Sequence, residues 1–331
     1  MRYFAKRIGI LALTLWTTVT INFLIPRLMP GNPAESLIAK YKGEGPISPY
    51  QLHAIEIMLG LTNQNLFQQY IEYWHDIVTL HFGLSYSYFP SSVVHMIGEA
   101  LPWTLGLIGI TTIVSFVLGT LLGIASAWRR GSVLDVASTS TFTFTSSFPY
   151  FWFALVVVYF FAFTWQLFPI SGGSNGAITP GFTWAFISSA LDHSILPGFT
   201  ILVSSIGGWL LGMRNNMISV LSEDYITLAQ ARGLSDRRIA LQYAARNAIL
   251  PNLTGFAISI GFVVSGSVTT EIVFLYPGIG NMLYTAISNE DYPLMQAIFL
   301  VIVVCVIFAN LGADVLNVMI DPRIRRGRAA A

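Results

Sequence analysis

Long apolar stretches, separated by short polar and basic ones, run through the chain from near its first residue to near its last. A helix needs about 20 mostly apolar residues to cross the hydrocarbon of a bilayer. Six segments meet that requirement, at 8–29, 101–127, 136–167, 196–221, 252–275 and 293–319. The pattern predicts an all-α, polytopic membrane protein with six transmembrane helices. The third segment holds Phe148-Pro149-Tyr150 and is long for one crossing, so a tilt or a kink at Pro149 is expected. It counts as one span. Between the first two spans, 30–97 reads as a small extracytoplasmic cap, with Gln68 to Trp74 helical in pattern.

Composition and charge sharpen this picture. Of 331 residues, 54% are hydrophobic and only 10% charged, with mean hydropathy +0.65, against roughly 25% charged in a soluble domain. A solvated enzyme, a disordered chain and a nucleic-acid-binding surface are therefore disfavoured. Lys and Arg concentrate in cytoplasmic loops of membrane proteins. With the amino terminus inside, the inner segments hold Arg2, Lys6, Arg7, Arg129, Arg130, Arg214, Arg232, Arg237, Arg238, Arg246, Arg323, Arg325, Arg326 and Arg328. Only Arg27, Lys40 and Lys42 fall outside, so six spans with both termini cytoplasmic is the expected topology. The first apolar run continues to Ile25 and meets Pro26, Pro30 and Pro33, not a small-residue cleavage site, so it reads as a retained span. The divisions expected are 1–29 as the first helix with a cytoplasmic start, 30–97 as the cap, 98–320 as the transmembrane core, and 321–331 as a basic cytoplasmic tail. Cys305 is the single cysteine, and the histidines show no i, i+4 pair, so neither a disulfide nor a metal centre is expected.

The inner loop at 222–250 carries the densest signals. Glu223 and Asp224 suit a helix start, and Gly233 suits the left-handed residue that ends it. Ser235 is placed to cap a second helix, with Ile239, Tyr243, Asn247 and Leu250 along one face. Two short helices thus meet at a glycine turn. The small residues Ala229, Ala231 and Gly233 would admit another surface closely, as in a docking element.

At these residues the chain resembles the permease subunits of binding-protein-dependent ABC importers, in their oligopeptide, dipeptide and nickel group. The resemblance rests on Ala229-Gln230-Ala231-Arg232-Gly233-Leu234-Ser235 followed by Arg246-Asn247-Ala248-Ile249-Leu250-Pro251. Pro30-Gly31-Asn32-Pro33, Thr270-Glu271-Ile272-Val273-Phe274 with Tyr276-Pro277-Gly278, Asp291-Tyr292-Pro293 and Asp321-Pro322-Arg323 match in order. Thr227 stands where many relatives have a glutamate, Leu228 where they have alanine, and Tyr243 where they have histidine. The resemblance implies a type I importer permease architecture. It also implies that Ala229, Ala231, Gly233, Leu234, Ser235, Arg237, Asn247 and Pro251 belong to a loop that docks into a cytoplasmic ATPase. The implied partners are a second, homologous permease subunit, two ATPase subunits and an extracytoplasmic substrate-binding protein, in the plasma (inner) membrane. No phosphate-cradling Gly-Lys-Ser or Gly-Lys-Thr occurs: Lys6, Lys40 and Lys42 precede Arg, Tyr and Gly. The chain is thus expected to be no enzyme and to hold no cofactor, with ATP and Mg in the partner ATPases.

Within the spans, an ionisable side chain is a functional candidate by default. Glu271, with Thr270 and Ser267, is the candidate outer gate or path, with a structural role, capping or pairing within the outer rim, as the equal alternative. Glu99, Arg214 and Asp314 lie near span ends, where they can reach an interface. Hydroxyl and small residues, among them Ser204, Ser205, Gly207, Gly208 and Ser259, suit close helix packing or a hydrated path for a neutral or zwitterionic solute. The expected solute is an oligopeptide or dipeptide, with oligosaccharide the alternative on the strength of eight Trp. An ion-coupled secondary transporter would need paired intramembrane charges and inverted repeats, and an intramembrane enzyme would need a nucleophile with its base or a metal pair. Neither pattern is present, and export is disfavoured by the loop's likeness to importers.

Overall fold

The computed structural model describes residues 2–28, 65–265 and 267–320. The motifs at 30–33 and 321–325, the first half of the expected cap and the basic tail lie outside the described residues. The described chain is helical. In order, the helices are α1 (Arg2–Leu28), α2 (Leu66–Thr79), α3 (Val93–Trp128), α4 (Val133–Ser146), α5 (Tyr150–Val157, continued as a π-helix over Val158–Thr164) and α6 (Trp184–Leu221). There follow α7 (Asp224–Ala231), α8 (Asp236–Arg238, continued as a π-helix over Ile239–Ala245), α9 (Leu250–Phe262), α10 (Val268–Val273), α11 (Ile279–Ser288) and α12 (Tyr292–Ile320).

All six predicted apolar segments fall on helices. Among the described residues, four helical stretches are long and apolar enough to cross a bilayer: Val93–Trp128, Trp184–Leu221, Leu250–Val273 and Tyr292–Gly312. The pair α4 and α5 passes the same test only when taken together, and α1 contributes the shorter apolar stretch Gly9–Ile25. The expected kink at Pro149 is a break: α4 and α5 meet at 97°. Pro149 has no N–H to donate back into α4, and its carbonyl starts α5 by accepting from Trp152 at 3.0 Å. Helix α6 starts at Trp184, well before the predicted 196. Thr183 caps it, accepting from the Phe186 N–H at 3.3 Å, and Pro197 is carried inside the helix.

The chain divides into two compact units, 1–103 with 278–307, and 104–277 with 308–331. In the first, α2 lies against the end of α1. Asn22 donates to the Tyr73 hydroxyl at 2.8 Å, and the Arg27 guanidinium covers the Phe23 ring at 3.5 Å. The carboxylate of Asp291 is fully buried there. It caps α12 through the Leu294 N–H at 3.2 Å and holds the preceding loop through the Ser87 N–H at 2.8 Å and the Ser85 hydroxyl at 2.5 Å. The Asp291-Tyr292-Pro293 motif is thus a helix start tied to a loop.

In the second unit, α3 and α4 pack on α6 with backbones in near contact. A Cβ on Gly207 of α6 would lie 2.6 Å from the Phe142 carbonyl of α4, and one on Gly123 of α3 would lie 2.6 Å from the Leu210 carbonyl of α6. Only glycine permits these approaches. Small residues at such crossings replace the hydrophobic driving force that lipid cannot supply.

Candidate functional site

The loop after α6 folds as two helices around a glycine turn, as its sequence predicts. Helix α7 begins after Glu223 with Asp224 in its first turn. It ends where the Gly233 N–H donates to the Gln230 carbonyl at 2.9 Å and the Leu234 N–H reaches the Ala229 carbonyl at 3.4 Å. Gly233 has φ +73°, and a Cβ there would meet open space. Its requirement is therefore conformational, since nothing within the chain crowds it. Ser235 takes the extended cap conformation, but its side chain makes no capping bond. Its carbonyl instead accepts from Arg238 at 2.9 Å and Ile239 at 3.0 Å.

The inner face of this element is a packed core. Ile226 and Ala229 of α7 and Ile239, Ala244, Ala245 and Ala248 join Met213 and Met217 of α6 and Ala127 of α3. Ala229 is buried in this core. The buried stripe also runs through Ile239, Ala240, Ala244, Ala245 and Ala248, with Asn247 exposed and Tyr243 only half-buried. The π-helical turns at Ile239–Ala245 insert an extra residue per turn and rotate the face by about one position. Asn247 serves as a tie, donating to the Tyr225 hydroxyl of α7 at 3.0 Å and to the Tyr243 carbonyl at 3.0 Å. The outer face presents Leu228, which is 60% exposed, with exposed Ala231, Arg232, Gly233, Ser235 and Arg237, and half-buried Leu234. Pro251 is exposed in the first turn of α9.

A cleft of about 490 Å³ opens beside three helices, α3, α6 and α9. Thr112 of α3, Ser205, Gly208 and Trp209 of α6, and Asn252 and Ser259 of α9 line it, and every lining residue is uncharged. Trp209 is held edge-on to Phe116 with ring centres 5.3 Å apart. Asn252 bridges α9 to α6 by donating to the Trp209 carbonyl at 3.1 Å. Of the hydroxyl and small residues singled out above, Ser205, Gly208 and Ser259 thus line an opening, whereas Gly207 packs.

Glu271, Thr270 and Ser267 do come together, but in the packed interior. Glu271 and Thr270 are fully buried. The Thr104 hydroxyl of α3 donates to Glu271 Oε1 at 3.0 Å, and Ser267 donates to the Thr270 hydroxyl at 2.8 Å. The chain then turns back so that the Tyr276 N–H donates to the Glu271 carbonyl at 2.8 Å, with the Tyr276 and Ser194 hydroxyls paired at 3.0 Å. Burial raises the Tyr276 phenol above its ordinary pKa, so it stays neutral. Glu271 thus sits in a buried knot, where its enclosed carboxylate finds a donor in Thr104 within the fold.

One ionic contact escaped the sequence reading. Arg214 of α6 grips Asp135 in the first turn of α4 with two bonds, Nε to Oδ1 at 2.7 Å and a terminal nitrogen to Oδ2 at 3.0 Å. The Gly131 N–H adds a third bond to the carboxylate at 3.0 Å. Asp135 is 4% exposed and Arg214 20%. The available signal was one acid and one arginine, each at the inner end of an apolar segment.

Comparison with known proteins gives a consistent result. The chain is 32% identical to the di/tripeptide transport system permease protein DppB of Pseudomonas aeruginosa, over 99% of this chain and 100% of that protein. It is 32% identical to the dipeptide transport system permease protein DppB of Lactococcus lactis, over 98% and 99% respectively. It is 30% identical to the oligopeptide transport system permease protein AppB of Bacillus subtilis, over 92% and 93%. Residues 119–326, which carry the glycine-bent loop and the α6 and α9 walls of the cleft, match the family described as the binding-protein-dependent transport system inner membrane component. The chain belongs to that family.

Proposed function

We propose that this chain is the membrane permease of an ATP-driven importer of dipeptides or oligopeptides. The observation that carries the reading is the glycine-bent element. Its inner face is packed into α3 and α6 while Leu228 and the 231–238 turn stand out from the fold, and the relatives with the same full-length pattern are peptide permeases. An exposed knuckle welded to two long membrane helices suits a part that receives force from a separate subunit.

The permease pairs with a second, homologous permease, two cytoplasmic ATPase subunits that hold ATP and Mg, and an extracytoplasmic binding protein that delivers the peptide. The chain itself holds no cofactor. It sits in the plasma membrane with both termini cytoplasmic. Counting α4 and α5 as one broken crossing is what the Lys and Arg distribution requires, since 168–195 carries none while 222–250 is basic. The docking surface is Ala231, Gly233, Leu234, Ser235 and Arg237, with Ala229 and Asn247 holding its shape and Pro251 starting the helix beyond. Glu271, Thr270 and Ser267 keep the outer part of this subunit closed.

The experiment is co-purification and transport. The complete assembly with wild-type chain should retain its ATPase subunits and take up dipeptides into proteoliposomes in an ATP-dependent manner. Gly233→Trp should leave membrane insertion intact while uptake falls to background. Normal uptake by that variant contradicts the docking assignment.

A further inference from the structure

We infer that the cleft between α3, α6 and α9 is this subunit's contact surface for the solute, and that it recognises the uncharged peptide main chain. This rests on the importer reading above and adds where, and by which chemistry, the solute is touched.

Most membrane-span hydroxyls in this chain satisfy themselves. Thr111 donates to the Leu107 carbonyl at 2.7 Å and Ser204 to the Thr200 carbonyl at 2.9 Å, the back-bonding usual for a hydroxyl within a helix. One residue further on, Thr112 and Ser205 both line the cleft, and neither hydroxyl has a hydrogen-bond partner among the described residues. The same holds for the indole N–H of Trp209, whose ring is fixed by Phe116 and by Phe256 at 6.4 Å. Three groups able to donate thus line one opening with their capacity unspent, and Gly208 beside them leaves the wall flat. Its volume, about 490 Å³, is of the size that holds a small ligand.

The cleft's chemistry also says what it does not grip. No Asp, Glu, Lys or Arg lines it. Arg214, little more than one helical turn from Trp209, spends its Nε and one terminal nitrogen on Asp135, so its charge is already paired. What every peptide offers irrespective of sequence is a carbonyl and, apart from proline, an N–H per residue. Neutral hydrogen bonds to such groups contribute little net free energy each, so a solute can enter and still leave, as transport requires. The cleft therefore discriminates weakly by side chain, and selection falls elsewhere in the assembly.

The test uses the complete assembly in proteoliposomes with Cys305→Ala as background, since Cys305 is only half-buried. Ser205→Cys should react with a charged, water-soluble thiosulfonate on the order of a hundredfold faster than Ile110→Cys, because a lipid-facing thiol cannot form its thiolate. Ile110 lies on the same helix as Thr112 and is 62% exposed outside the cleft. A neutral dipeptide under turnover should slow the Ser205→Cys reaction. Ser205→Asp should lower uptake of doubly anionic peptides relative to cationic ones by about tenfold, and Gly208→Trp should block uptake while the ATPase subunits stay bound. Equal reactivity at positions 205 and 110, or unchanged charge selectivity in Ser205→Asp, overturns the proposal. Absence of peptide uptake by the wild-type assembly contradicts the importer reading itself, whereas wild-type uptake with an unreactive Ser205→Cys contradicts only the cleft assignment.

Discussion

Gly233 and Glu271 both lie in motifs on which the resemblance to importer permeases rests, yet they hold their places for different reasons. Gly233 sits at φ +73° in open space, so a side chain is penalised through the backbone, by about 1–2 kcal/mol for most residues. Asn tolerates that conformation. Gly233→Asn should accordingly keep most uptake while Gly233→Val loses it, although both side chains fit the surrounding space; equal loss in both variants would point to an external contact surface that needs the bare backbone. Glu271 is enclosed and bonded by Thr104 at 3.0 Å. Glu271→Gln keeps an acceptor for that hydroxyl, whereas Glu271→Ala removes it and opens a void, at a cost of about 1–3 kcal/mol. Thermal unfolding in detergent should rank the two variants in that order, and an Ala variant as stable as wild type would remove the knot from the account. The glycine was legible because a helix end writes itself locally. The burial of Glu271 was not, since its partner lies far away in sequence on α3.

At the scale of elements, the apolar runs located every long helix, because hydrocarbon length and hydropathy constrain a membrane helix more tightly than any packing partner does. What they could not show was where backbone geometry departs from the regular α-helix. The π-helical turns at Ile239–Ala245 put Ile239, Ala240, Ala244 and Ala245 on the buried face, and the 97° break at Pro149 turns one apolar run into two helices. Nor could they pair Asp135 with Arg214, whose bidentate contact fastens α4 to α6 just before the glycine-bent loop. Removing one partner leaves the other charge exposed to a poorly hydrated surrounding. Asp135→Asn should cost about 1–3 kcal/mol, less than for a deeply buried pair because a fifth of Arg214 remains exposed. Combining Asp135→Arg with Arg214→Asp should recover part of the stability lost in either single reversal. Additive losses in the double variant, measured as residual folded assembly after heating, would show that the contact is not energetically coupled.

For the whole molecule, the described helices combine an exposed knuckle, a neutral cleft and a closed knot, which we propose serve force input, solute contact and sealing. Composition made the membrane setting legible from the sequence alone, since it is a property of the whole chain. The solute was not, because uncharged walls carry no signature of their own and the family relationship supplies the peptide reading. The most direct measurement is ATP hydrolysis and uptake by the complete assembly, reconstituted with its binding protein, with dipeptides and oligosaccharides supplied in parallel. Hydrolysis stimulated by the peptide-loaded binding protein, with peptide accumulating inside and the stimulation lost in Gly233→Trp, is the predicted result. Hydrolysis indifferent to the binding protein, or accumulation of sugar without peptide, would contradict it.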